Sequence, residues 1–337
     1  MKRISIVTPF YNEQEGVAIY FDRLTQVLRP LRDRYDFEFV CVNDGSRDDT
    51  LQLLRSIAPD VGYVRVVDLS RNFGKEAALS AGLDHATGDA VIPVDADLQD
   101  PPELIPELIR RWETGVPVVL AVREDRSSDG WVKKLTASAF YNVHNYLAST
   151  PIPANVGDFR LLDRVVVDVV RSLPERQRFM KGLFAWAGFK SDRVSYTRPP
   201  RAAGTTKWNY PKLFNLAIEG ITSFSTAPLR ASTMFGVGFS AVAMVYGLAI
   251  AARALFLGVD VPGYASLFVA IVFMGGIQLL SLGILGEYVG RIYMESKQRP
   301  VYVVNSVEGQ PSQDPVPAVC PVCAGTKDRL ERNASRV

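Results

Sequence analysis

Cysteine and histidine are scarce, with three and two residues in a chain of 337. Three cysteines cannot build a disulfide framework, and one of them, Cys41, sits inside the apolar run FVCV. Charge of one sign is also missing. Lys and Arg total 38 against 36 Asp and Glu, and no basic stripe interleaved with aromatics occurs, which argues against a nucleic-acid binder. The opening MKRISIVTPFYNE does not read as a signal peptide, because its apolar run is short and turn residues with a carboxylate follow at once. A cytoplasmic N-terminal part is therefore expected. No GxGxxG follows the first predicted strand and no GxxxxGK[ST] occurs, which disfavours dinucleotide-binding and P-loop folds.

What is present begins as alternation. Strands are predicted at 3–8, over FEFVCVND ending at Asp44, and at 63–69, 90–94 and 116–122. Helices are predicted at 14–30, with Val17, Tyr20, Phe21, Leu24 and Leu28 on one face, and after GSRDDT, with Asp48, Asp49 and Thr50 as caps or N-terminal acids. A further helix is predicted at 75–86, closed by Gly88, and another after the proline pair at 101–102. This order implies an α/β fold, a mostly parallel sheet with helices on both faces. Ligands of such sheets bind at the carboxyl ends of the strands, where Asp44, Asp95 and Arg123 fall.

The second half changes character. Residues 231–252 and 261–286 carry no charge, and each run exceeds the roughly 20 residues that span a bilayer. Runs this long are rare as buried core helices. A short connector joins them into a transmembrane hairpin, residues 230–292, with spans at about 231–253 and 264–288. Arg230 precedes it, and Arg291, Lys297 and Arg299 follow, so the positive-inside rule places both flanks and both termini in the cytoplasm of an inner (plasma) membrane. Gly286 and Gly290 have a spacing that allows close helix contact. Residues 1–209 then form the catalytic domain and 210–229 an apolar-faced helix that lies on the membrane or packs on that domain. Residues 293–308 form a cytoplasmic extension, and 309–337 a flexible tail. The tail's CPVC, Cys320 and Cys323, is half of a zinc site and reads as a free thiol pair or as zinc shared between subunits.

Chemistry concentrates in VDADLQDPPE at 94–103. On an extended segment Asp95, Asp97 and Gln99 share one face. Hard oxygens on an open segment suit Mg²⁺ or Mn²⁺ bound together with substrate phosphates. Asp100 reads as a cap for the following helix. Two more strands end in polar clusters, TPFYNEQEG and VNDGSRDDT. There Tyr11 offers a stacking face, and Glu13 and Asp44 offer acceptors for a base and a ribose.

TPFYNE, NDGS, SRNFGKEAA, DADLQDPPE, GDFRL and GTTKW, in this order, resemble family 2 glycosyltransferases of the GT-A fold, and more closely the polyprenyl-phosphate glycosyltransferases. The resemblance covers residues 3 to about 304. It implies that Pro9, Tyr11, Glu13 and Asp44 hold the nucleotide, with Lys75 nearby. It implies that Asp95 lies near ribose and metal, that Asp97 and Gln99 ligate the metal on the diphosphate, and that Arg123 faces phosphate. Arg201 and Lys207, within RPPRAAGTTKWNYPK, would belong to a mobile basic loop closing over donor and acceptor phosphates. Asp158 would be the catalytic carboxylate, either accepting a proton or positioning the acceptor. Arg160 reads as a phosphate fork or a structural ion pair. The implied enzyme is an inverting, membrane-bound transferase acting in cell-envelope glycan modification. It moves a sugar from a UDP-sugar, glucose first, to polyprenyl phosphate, and it assembles as a homo-oligomer, by resemblance a tetramer. GDP-mannose is the alternative donor. A processive polysaccharide synthase is disfavoured because RQRF stands at 176–179 and no QxxRW occurs. A non-catalytic membrane scaffold is disfavoured by the intact acidic cluster.

Overall fold

A computed structural model describes residues 1–57, 62–123, 156–197, 222, 225–257 and 263–309. Strands β1 (Lys2–Phe10), β2 (Tyr35–Asn43), β3 (Tyr63–Leu69), β4 (Ala90–Pro93), β5 (Val118–Arg123), β6 (Val156–Asp163), β7 (Ser191–Tyr196) and β8 (Val304–Glu308) form one sheet, in the order β7-β5-β6-β4-β1-β2-β3-β8. β1 pairs in parallel with β2 and β4, β2 with β3, and β5 with β7. β6 runs antiparallel to both β4 and β5, and β8 antiparallel to β3. The first five strands match the sequence reading to within two or three residues. β6, β7 and β8 did not stand out in it.

The helices of this domain are α1 (Val17–Leu28), α2 (Thr50–Ser56), α3 (Lys75–His85), α4 (Ile105–Glu113), α5 (Arg164–Ser172) and α6 (Met180–Trp186). The pleat of β2 explains why both faces are covered. Phe37, Phe39 and Cys41 enter one core with Tyr20, Phe21, Leu24 and Leu28 of α1, whereas Val40 and Val42 enter the other beneath α3. Burying each such side chain contributes about 1.5–3 kcal/mol. α3 lies very close to the sheet, because a Cβ on Gly82 would come within 2.2 Å of Val7 Cγ1. Gly88, expected to end α3, does something else. The helix ends at His85, and Gly88 approaches β1 so closely that its N–H donates to Ser5 Oγ at 2.8 Å.

Two long helices follow, α7 (Ala227–Leu257) and α8 (Tyr264–Ser296). Both are long and apolar enough to cross a membrane, over Ala227–Ile250 and Ala270–Ser296, and the packed core covers neither segment. They touch through Phe239 and Phe273, whose rings meet edge to face at 5.6 Å. A Cβ on Gly286 or Gly290 would meet nothing within 4 Å, so their spacing makes no close helix contact among the described residues. Of residues 293–308, expected as an extension, 297–308 return to the sheet after α8. Tyr302 is 2% exposed and its hydroxyl donates to Asp84 Oδ2 at 2.7 Å, after which β8 adds to the free edge of β3. Most of the expected interfacial helix, the basic loop and the CPVC tail lie outside the described residues.

Candidate active site

The polar clusters after β1 and β2 are interlocked. Asn12, in the left-handed region at φ 53°, receives Arg47 N–H on its Oδ1 at 2.9 Å and donates its own N–H to Ser46 Oγ at 3.0 Å. Glu13 N–H reaches Thr50 Oγ1 at 2.9 Å. Asp49 stands at the N-cap of α2 without a side-chain cap hydrogen bond, and the preceding Asp48 accepts on its Oδ1 from Thr50 N at 3.2 Å and from Thr50 Oγ1 at 2.6 Å. Gly45 is required twice over. Its φ is +62°, and a Cβ there would stand 2.4 Å from the Arg71 backbone. These loops and the end of β3 border a cleft of about 400 Å³ lined by Tyr11, Asn43, Arg47, Asp68 and Arg71, with Asn305 from β8. Asp68 is held by two amides, Asn43 Nδ2 at 2.7 Å and Asn305 Nδ2 at 2.8 Å. The sequence reading missed Asp68, Arg71 and Asn305. No local signal marks Asn305, which follows the apolar runs.

Asp44 is 3% exposed, and its two oxygens accept the N–H groups of Phe73 at 2.7 Å and Gly74 at 3.0 Å. Burial raises its pKa, against the pull of those two donors. Asp44 thus shapes the turn that starts α3 and delivers Lys75. Pro9 is partly buried near the end of β1, beside Val42, and Arg123 ends β5 opposite Tyr196.

The acidic segment differs from the extended run assumed from its sequence. β4 stops at Pro93, and residues 95–98 turn, with Leu98 N–H donating to Asp95 O at 3.3 Å and Leu98 at φ 51°. Asp95, Asp97 and Gln99 are partly exposed, while Ala96, Leu98 and Asp100 are buried. Asp97 Oδ1 accepts from Gln99 N at 3.2 Å. Asp100 is not a helix cap, because the following helix starts without a side-chain cap and Asp100 Oδ1 takes the Tyr196 hydroxyl at 2.5 Å.

The antiparallel register of β4 and β6 pairs Ala90 with Asp163; continued beyond β4, it carries Asp95 opposite Asp158. Lys75 Nζ stands between them, 2.7 Å from Asp95 Oδ1 and 2.8 Å from Asp158 Oδ2. Loss of water around the ammonium opposes its charge, but Asp158 and Asp95 outweigh this and hold its pKa well above the lysine value. The Lys75 side chain is 45% exposed, so solvent screens part of this attraction. Burial likewise works against the Asp158 charge, and Lys75, Lys181 and Arg160 overcome it, so Asp158 is ionised at neutral pH. Glu76 completes the group. Burial first, then Asp158, push its pKa up to about 7, and it accepts Met180 N–H at 3.0 Å. The sequence reading named Lys75 but passed over Glu76. Arg160 donates to Gly157 O at 2.6 Å and covers the Phe184 ring. Arg201 and Lys207 lie outside the described residues.

Among the described residues no three His, Cys, Asp or Glu side chains form a ready metal cluster. A donor set of two partly exposed carboxylates and an amide fits a hard cation that takes its remaining ligands from water and a diphosphate.

The sheet carries its polar loops at the carboxyl ends of β1, β2 and β4, with a lysine bracketed by two aspartates, and the sequence profile named glycosyl transferase family 2 matches residues 5–171. The chain belongs to that family and is a glycosyltransferase. Its similarity extends through both apolar helices: it is 49% identical to the prophage bactoprenol glucosyl transferase homolog of Escherichia coli K12, over 91% of this chain and 99% of that one. It is 49% identical to the bactoprenol glucosyl transferase of Shigella phage SfV, over 90% and 98%. A Synechocystis protein described as an uncharacterized glycosyltransferase is 52% identical over 91% and 96%. Among solved structures, mannosyl-3-phosphoglycerate synthase from Rubrobacter xylanophilus aligns at 21% identity and TM-score 0.45, covering 65% of this chain and 71% of that one.

Proposed function

We propose that this glycosyltransferase moves glucose from UDP-glucose to a polyprenyl phosphate at the cytoplasmic face of a membrane, with inversion at the sugar carbon. The near-full-length likeness to bactoprenol glucosyl transferases carries the substrate assignment. The two apolar helices agree with an acceptor confined to the bilayer.

In this reading the cleft beside Tyr11 receives the nucleotide, and its diphosphate extends over β1 toward Asp95 and Asp97. Asp95, Asp97 and Gln99 would hold Mg²⁺ or Mn²⁺, which would supply positive charge near the departing nucleotide diphosphate. Arg123, Arg201 and Lys207 add charge around the phosphates. The acceptor phosphate, with a second pKa near 6, is mostly a dianion at neutral pH and needs little help from a base. Asp158, ionised and held by Lys75, therefore positions the acceptor and the basic groups that bind it more than it accepts a proton. A single in-line displacement from an α-linked donor gives a β-linked lipid product.

The test is to incubate the purified chain with polyprenyl phosphate and UDP-glucose, UDP-N-acetylglucosamine or GDP-mannose. Glucolipid formed from UDP-glucose is expected. Product from GDP-mannose alone, or from no donor, overturns the assignment. Asp97→Ala is expected to lose transfer, and full activity in that variant removes the metal role.

A further inference from the structure

The loop between α5 and α6 is a knot tied at both ends. Arg178 is 5% exposed and donates inward to Leu173 O at 3.0 Å and to Glu175 O at 3.2 Å, while Phe179 and Met180 are buried beside it. One end is gripped by α8. The Glu295 carboxylate accepts Arg176 N–H at 3.0 Å and Gln177 N–H at 3.1 Å. Arg291 donates to Gln177 Oε1 at 3.1 Å, and Arg176 Nη1 donates to Arg299 O at 2.9 Å. The other end grips the site, through Met180 N–H to Glu76 at 3.0 Å, next in the chain to the lysine that holds Asp158. The charge-free run ends at Gly286, so Glu295 stands about 13 Å further along a straight helix. Two residues, Arg178 and Phe179, separate Gln177 from Met180, which leaves little slack between helix and site.

We propose that Glu295 is a positioning residue: it fixes the height of Asp158 above the bilayer, where a lipid-borne phosphate must meet it. The proposal rests on the polyprenyl-phosphate reading. An acceptor tethered to the membrane meets the site only at one height, whereas an acceptor free in water finds it at any height.

The experiment compares the full-length wild type with Glu295→Ala and Glu295→Gln on two acceptors, a long-chain polyprenyl phosphate in liposomes and a short-chain, water-soluble prenyl phosphate. Glu295→Ala is expected to lower kcat/KM for the liposome acceptor on the order of 10–100-fold. With the soluble acceptor it should stay within about twofold of wild type, and its KM for UDP-glucose should not change. Glu295→Gln keeps one acceptor oxygen for both N–H groups and is expected to recover most of the loss. Equal loss on both acceptors would mean general structural damage and overturns the proposal, as does no loss on either. A wild-type protein inactive with both acceptors overturns the polyprenyl-phosphate reading itself, and the proposal with it.

Discussion

At the scale of single residues, Lys75 is the cation that pairs with both Asp95 and Asp158. Without it, Asp95 and Asp158 face each other with no cation between them. Lys75→Gln is expected to lower kcat about 100-fold, in the range seen when one electrostatic contact is removed from an active site. Steady-state assay of a variant that keeps the wild-type melting temperature checks this. Glu76 gives a pH signature. Its carboxyl rises from the ordinary 4.5 to about 7 on folding, so the folded state binds the proton more tightly. That stabilisation is full below about pH 4.5 and is lost as pH rises through about 7. Asp158, shifted the other way, loses its contribution only at much lower pH. Thermal melts of wild type and Glu76→Gln should therefore diverge between pH 5 and 7.5, the variant gaining relative stability by up to about 3 kcal/mol. A constant difference across that range would contradict the assignment. The residue types of this group were legible in DADLQ and GDFRL. Their contacts were not, because the register of β6 against β4 and the approach of α3 are long-range facts that no local spacing encodes.

At the scale of elements, α3 carries the site and depends on its distance from the sheet. Gly82→Val places methyl groups where Val7 already sits, 2.2 Å from the new Cβ. The sheet is hydrogen-bonded on both sides at β1, so the helix must move outward. The expected cost is about 1–3 kcal/mol by denaturant unfolding, with transfer lost more steeply than stability because Lys75 and Glu76 ride on the same helix. Strands with continuous apolar runs, such as FVCV, announced themselves. β6 carries Gly157 and Asp158 in its first three positions, and β8 is five residues with polar positions, VNSVE. Each is a strand because of its neighbours rather than its own propensity, and so neither was visible in advance.

At the scale of the whole molecule, the charge-free runs were legible because a bilayer demands length and composition alone. What those features could not reveal is that the chain re-enters the sheet after α8. Tyr302 plugs the core against Asp84, Asn305 lines the cleft, and Arg55 ion-pairs with Glu308 of β8. A soluble fragment of residues 1–226 therefore exposes the hydrogen-bonding edge of β3 and loses the Tyr302 plug. It is expected to elute as aggregates in size-exclusion chromatography while the full chain in detergent elutes as a defined species.

The return of β8 also sets an order of events during synthesis. The ribosome delivers the catalytic domain's outer strand last, after both apolar helices have emerged. Until then the newborn protein holds an unfinished sheet and an incomplete donor cleft.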